Sequence, residues 1–185
     1  MRDDDATTLF EQLALPHLDA AYNLARWLLH NDHDAQDVVQ DAMLRALRYI
    51  GGCRPDEAKA WLLQIVRNCC FSWIKQNRPK ERVHASGDDE RWDHIPAPAN
   101  DEPETMALRN ATCLSVNQAI AALPVAYRDV LVLREFEELS YADIARVTGT
   151  PIGTVMSRLA RSRAMLRLAL SPAEPAMPRA ARPVS

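Results

Sequence analysis

Residues 79–104 constrain the fold more than any other part of this chain. Pro79, Pro96, Pro98 and Pro103 stand there amid eight acidic and three basic side chains, a composition that cannot bury enough apolar surface to form a core. The flanking sequence is the opposite: rich in Ala and Leu, with apolar residues recurring at the helical period. The chain must therefore fold as two helical modules, at 7–78 and 105–170, joined by a flexible acidic linker at 79–104. Five glycines and 48% hydrophobic residues in 185 favour an all-α fold of two small domains. The Pro- and Ala-rich stretch 171–185 is expected to be disordered.

The net charge of -3 hides a segregation by segment. Residues 105–170 carry eight basic and five acidic side chains, so an acidic total does not argue against a nucleic-acid-binding face. Asp3, Asp4 and Asp5 do not fit a signal peptide, and no run approaches the roughly 18 apolar residues of a membrane span. A cytoplasmic protein without membrane contact is expected. Cys53, Cys69, Cys70 and Cys113 lack C-x-x-C spacing, so no metal site is expected, and Cys69 and Cys70 read as buried small hydrophobes. His30 and His33 flank Asn31-Asp32, which reads as a helix end. With no Gly-rich phosphate loop and no paired catalytic motif, neither an enzyme nor a cofactor is indicated.

The segment Leu139-Ser-Tyr-Ala-Asp-Ile-Ala-Arg-Val-Thr-Gly-Thr-Pro-Ile-Gly-Thr-Val-Met-Ser-Arg-Leu-Ala-Arg-Ser-Arg163 reads as helix, tight turn and second, basic helix. Ser140 is placed to cap the first helix, Gly149 to let the chain leave it, and Thr150-Pro151 to start the next. At about 100° per residue, Ile152, Val155, Leu159 and Leu166 share a packing side. Gly153, Thr154, Ser157 and Arg161 share the other, with Arg158 on its flank and Arg163 near the packed side. Taken alone, this is as well an ordinary helical hairpin with a solvated basic face as a major-groove reader.

Two helices of the first module carry surfaces that a plain core does not need. On the helix at 34–48, Val39, Met43, Ala46 and Leu47 form the buried side. Asp37, Asp41 and Arg48 lie opposite with apolar Val38 and Leu44 among them, a docking patch or else a solvated face with two stray hydrophobes. The helix at 57–77 buries Leu62, Ile65, Val66, Cys69 and Trp73. It presents Gln64, Arg67, Phe71, Lys75 and Arg78 on its other side, with Trp61 and Asn68 at the boundary. Cations interleaved with aromatics suit single-stranded nucleic acid, although a solvated basic helix would look the same.

In this order the motifs Asp34-x-x-Asp-Val-Val-Gln-Asp41, Ala60-Trp-Leu-Leu-x-Ile-Val-x-Asn68, Leu123-Pro124 with Leu131-Val-Leu-Arg-Glu135, and Leu139-Ser-Tyr-Ala-Asp-Ile-Ala145 with Gly153-Thr-Val-x-Ser-Arg158 carry a resemblance. The chain resembles a bacterial sigma factor of the extracytoplasmic-function type over nearly all of residues 9–170. The resemblance implies a non-enzymatic protein that binds core RNA polymerase, through the coiled coil of its largest subunit and through its flap. It would direct the enzyme to promoters by reading -10 and -35 elements, under the control of an anti-sigma factor.

It further implies that Asp37, Gln40 and Asp41 dock the polymerase, with Val38 and Leu44 on the same patch. Asn68, near Trp61, would lie where a flipped -10 base is read, with the loop from Gly51 to Asp56 as its pocket. Arg67, Phe71, Lys75 and Arg78 would line the same strand by the charge argument. The -35 contacts would fall at Arg134, Ser157 and Arg161, with Thr154, Met156, Arg158 and Ala160 adjoining. Family members often carry a basic residue where Met156 stands and a larger one where Ala160 stands, so -35 reading should be altered here. The acidic linker would thread polymerase channels near the template strand. Two other readings compete: a sigma mimic that sequesters an anti-sigma partner, and a stand-alone helix-turn-helix regulator.

Overall fold

The computed structural model describes residues 3–77 and 114–171. Arg78, the acidic segment 79–104, the expected helix start near 105 and residues 172–185 lie outside the described residues. Among the described residues there are eight α-helices and no strand: α1 (Asp3–Leu13), α2 (Leu18–Leu29), α3 (Asp32–Tyr49), α4 (Ala58–Asn77), α5 (114–121), α6 (Val125–Glu135), α7 (Tyr141–Thr148) and α8 (Ile152–Leu170).

Local chemistry sets the breaks. Pro16 falls within a single 3-10 turn between α1 and α2, where its missing N–H costs nothing. His30 ends α2 in the left-handed region (φ 58°). The Asn31 side chain then caps α3 by accepting the Asp34 N–H at 3.0 Å, a turn-and-restart that the Asn-Asp pair signals in the sequence. In the second module the Ser140 hydroxyl accepts the Asp143 N–H at 3.1 Å, and Gly149 leaves α7 at φ 64°, a conformation that costs any residue with a Cβ about 1 kcal/mol or more. The second helix of this pair starts one residue later than its sequence suggests, with Pro151 as the cap.

Helix α3 packs against α2 and α4 through Ala35, Ala42 and Ala46, all fully buried. Their short side chains let the helices approach closely. Leu24, Leu28, Leu62 and Val66 fill the space between. In the second module Leu133, Ile144, Val147, Val155 and Leu159 converge where α6, α7 and α8 meet. Buried Arg128 closes the turn after α5 by donating to the carbonyls of Ala121 and Leu123, the latter at 3.1 Å.

The helical period misplaces several residues. Val38 is buried at 5% exposure, because α2 and α4 both flank α3 and cover a wider arc than one packing partner would. Leu63 and Cys70 are fully buried, whereas Ile65 and Trp73 are only half-buried; the reason is a second contact surface on α4, described below. Ile152 is 50% exposed because α8 starts at the edge of the module. Arg163 is exposed and paired with Glu135 at 2.6 Å.

The hydrogen bond from the Ser140 hydroxyl, reinforced by Arg146, holds the Asp143 carboxyl below its ordinary 3.8 despite some desolvation. A carboxylate so depressed contributes stability above its unfolded value and loses it as the pH falls through the folded one. Urea midpoints should therefore fall as the pH drops below about 4. In Asp143→Asn that acid limb should be shallower, while the m-value stays unchanged.

Candidate nucleic-acid interface

The two modules are docked on each other through α4. Fully buried Asp129 of α6 accepts Arg67 Nε at 2.7 Å, and the Arg67 guanidinium lies 4.3 Å from the centre of the Phe71 ring. Burial pushes the Asp129 carboxyl above the usual range, opposed chiefly by Arg67. Nearer the start of α4, Lys59 Nζ donates to the Glu137 carbonyl at 2.8 Å and sits 3.1 Å from its carboxylate. Asn23 on α2 donates to the other Glu137 oxygen at 2.6 Å. Arg146 of α7 meets Glu57 at 2.5 Å and accepts at its carbonyl from Gln64 Nε2 at 3.3 Å. An apolar contact closes the edge, with the Trp27 and Phe136 rings 5.3 Å apart. The turn that brings Glu137 into this seam holds Glu138 at φ 56°, a left-handed conformation disfavoured for a non-glycine residue.

These contacts decide which of the sequence-derived residues are free. Asn68 and Lys75 are exposed and Trp61 is half-buried. Arg67 is not free for a phosphate: its charge is committed to Asp129, and half-buried Phe71 carries the guanidinium. The loop from Gly51 to Asp56 is braced from within by an Arg54–Asp56 pair at 3.1 Å and at its end by Glu57, which reaches the second module. Lys59, Asp129 and Glu137 went unassigned in the sequence. Asp129 carried a signal, since it lies four residues from both Val125 and Leu133 and so on the apolar row of α6.

On α3, Asp37, Gln40 and Asp41 are exposed and Leu44 is 53% exposed. Val38 leaves the patch, being part of the core. In its place the structure opens an apolar groove of about 640 Å³ between α1, α2 and α3, lined by Phe10, Leu18, Tyr22, Met43 and Leu47, with Gln40 and Leu44 also at its wall. An apolar trough beside two carboxylates is a surface built for a protein partner.

On α8, Val155, Leu159 and Ser162 face the module, while Gly153, Met156, Ser157, Ala160 and Arg161 are exposed and Thr154 and Arg158 are half-buried. The Ser157 hydroxyl donates to the Thr154 carbonyl at 3.0 Å, leaving its lone pairs outward. Arg161 reaches the Tyr127 hydroxyl only at 3.5 Å. Arg134 is tied down instead: it donates to the Leu139 carbonyl at 2.8 Å and lies over the Tyr141 ring. A Cβ added at Gly153 would meet nothing within 4 Å, so packing does not require the glycine.

Burial pushes the Cys70 thiol up to about 12 and the Cys69 thiol above its ordinary range, so both remain protonated and unreactive. Among the described residues no group of three His, Cys, Asp or Glu is placed to hold a metal, and no helix is long and apolar enough to cross a membrane.

A helical module with a groove beside an acidic face, docked on a helix-turn-helix module, defines a class. The chain belongs to the sigma-70 family, among the extracytoplasmic-function RNA polymerase sigma factors. Residues 13–79 match the family profile of sigma-70 region 2 and residues 113–166 that of sigma-70 region 4. The RNA polymerase sigma-H factor of Pseudomonas aeruginosa is 36% identical over 167 residues, covering 88% of this chain and 86% of that one. The sigma factor SigE of Mycolicibacterium smegmatis is 32% identical over 89% of this chain, which spans 63% of its length. Among solved structures, the sigma factor RpoE of Bartonella quintana, in complex with the anti-sigma factor NepR, superposes with a TM-score of 0.68 at 27% identity over 87% of this chain and 96% of that one.

Replacing the seam carboxylates by isosteric amides should separate the modules. In Asp129→Asn combined with Glu137→Gln, small-angle scattering is expected to give a larger radius of gyration than for the parent chain, with unchanged helical circular dichroism.

Proposed function

We infer that the chain binds core RNA polymerase and directs it to promoters by reading a -10 and a -35 element. It performs no chemistry itself and acts in the cytoplasm, where the polymerase works. The observation that carries this reading is the presence on one chain of two unrelated free surfaces: the acidic face and groove of α3, suited to a protein, and the outward face of α8, suited to a major groove. A repressor needs only the second surface, and a mimic needs no DNA-reading face at all.

Each role is supported by placement. Asp37, Gln40, Asp41 and Leu44 flank the groove and would dock the polymerase coiled coil. Asn68 and Lys75, with Trp61 beside them, would meet the unpaired -10 strand, joined by Arg67 and Phe71 once these leave the seam. Ser157 and Arg161 would read -35 base edges, flanked by Thr154, Met156, Arg158 and Ala160. Arg134 would serve by holding the α6–α7 turn rather than by touching DNA.

The element names imply a separation of about 25 base pairs, which is roughly 85 Å at about 3.4 Å per base pair. Docked modules cannot span that distance, so they must part on the promoter. The 36 residues between Asn77 and Leu114 can reach at most about 130 Å when extended, which is enough. By analogy with the solved sigma–anti-sigma complex, an anti-sigma factor would be a further partner of this chain.

Run-off transcription with core polymerase tests the assignment. Asp41→Arg should impair holoenzyme assembly, and Arg161→Glu should leave assembly intact while lowering transcription from a -35-dependent promoter; each loss should be about tenfold or more, the size of one good charge-assisted contact. Undiminished transcript from both variants would contradict the roles.

A further inference from the structure

The face of α8 that a major groove would meet is poor in hydrogen-bonding groups. Of its exposed residues Gly153, Met156, Ser157, Ala160 and Arg161, only Ser157 and Arg161 carry polar side chains. Met156 and Ala160, one helical turn apart, form an apolar strip along one edge, and Met156 is 53% exposed. The core of the module is closed by Val155 and Leu159, about 100° round the helix from Met156 and Ala160, so the exposed thioether is not needed there. The apolar group that base edges offer in the major groove is the C5-methyl of thymine.

We propose that Met156, with Ala160 beside it, reads a thymine methyl in the -35 element, next to the base edge contacted by Ser157 and Arg161. This deepens the promoter reading given above and rests on it. Ser157 and Arg161 lie on the adjacent row, one residue further along the helix in each case, so the polar and apolar contacts fall on neighbouring bases. The unbranched Met side chain can follow the methyl as the helix settles. Ala160, being small, keeps the backbone close enough for the Met side chain to reach the groove floor. The -35 element would then carry thymine where a relative with a basic residue at that position would select a hydrogen-bond acceptor.

Deoxyuridine differs from thymidine by that methyl alone, which makes the test direct. Holoenzyme made with the full chain is used to select binders from duplexes randomised over ten base pairs upstream of a fixed -10 element. The enriched duplex is then resynthesised with deoxyuridine at each thymine in turn. One or two such replacements should weaken binding about fourfold, the effect of exposing one methyl-sized group. In Met156→Gln, thymine and uracil duplexes should bind equally. The exposed position makes misfolding of the variant easy to check by circular dichroism, and Met156→Ala provides a second arm with the same expected loss of discrimination. If the parent protein enriches a sequence but binds thymine and uracil forms alike, or if Met156→Gln keeps the discrimination, the methyl reading is overturned while the promoter reading stands. If no sequence is enriched, both are overturned.

Discussion

A buried ion pair between two modules behaves as an all-or-none contact. Asp129 has no exposed surface and one of its carboxylate oxygens, Oδ1, lacks a hydrogen-bond partner among the described residues, so its charge there depends chiefly on Arg67, with Arg158 and Arg128 contributing less. Leaving such a carboxylate buried without its cation costs about 3–5 kcal/mol, whereas full separation returns both ions to water. The docked and the separated arrangements are therefore both allowed, and a half-open one is penalised. Around this pair the seam combines apolar burial, with Leu63 and Cys70 of α4 fully covered, and polar contacts from Lys59 and Asn23 to Glu137 and from Arg146 to Glu57. Exposed or partly exposed pairs of this kind are worth about 1 kcal/mol or less each, so the polar contacts fix the register of the modules while the apolar burial supplies more of the attraction.

The same helix, α4, supplies Lys59 and Arg67 to the seam and carries the residues proposed to meet nucleic acid. Asp129 occupies on Arg67 the place that a phosphate would take, and Phe71 lies under that guanidinium where a base would stack. On the proposed roles, docking would withdraw Arg67 and Phe71 from the -10 strand while leaving Asn68, Lys75, the groove beside α3 and the outward face of α8 exposed. A chain in this state would keep the proposed polymerase-docking surface available. The proposed DNA-reading surface would be complete only once the modules part.

Much of this was legible in the sequence because local rules act locally. Ser140 and Gly149 mark the ends of α7 through their own backbone chemistry, and Asn31 marks the start of α3 in the same way. Angular counting placed Ser157 and Arg161 outward because α8 packs on one side only. It failed where a helix touches two neighbours. Val38 is swallowed by a core fed from both α2 and α4, and Leu63, Arg67 and Cys70 lie against a module that begins more than 30 residues later. No periodicity within one helix can announce a partner so distant in the chain. Asp129 is the residue where the sequence dissented, a carboxylate on an apolar row, and its explanation is the arginine across the seam.

On the proposed function, one chain alternates between docked modules when free and separated modules when it reads a promoter. Fluorescence energy transfer between dyes on exposed positions His33 of α3 and Arg167 of α8 measures this directly. High transfer in the free protein, falling sharply in the complex with core polymerase and promoter duplex, is the predicted result. Equal transfer in the two states would contradict the account.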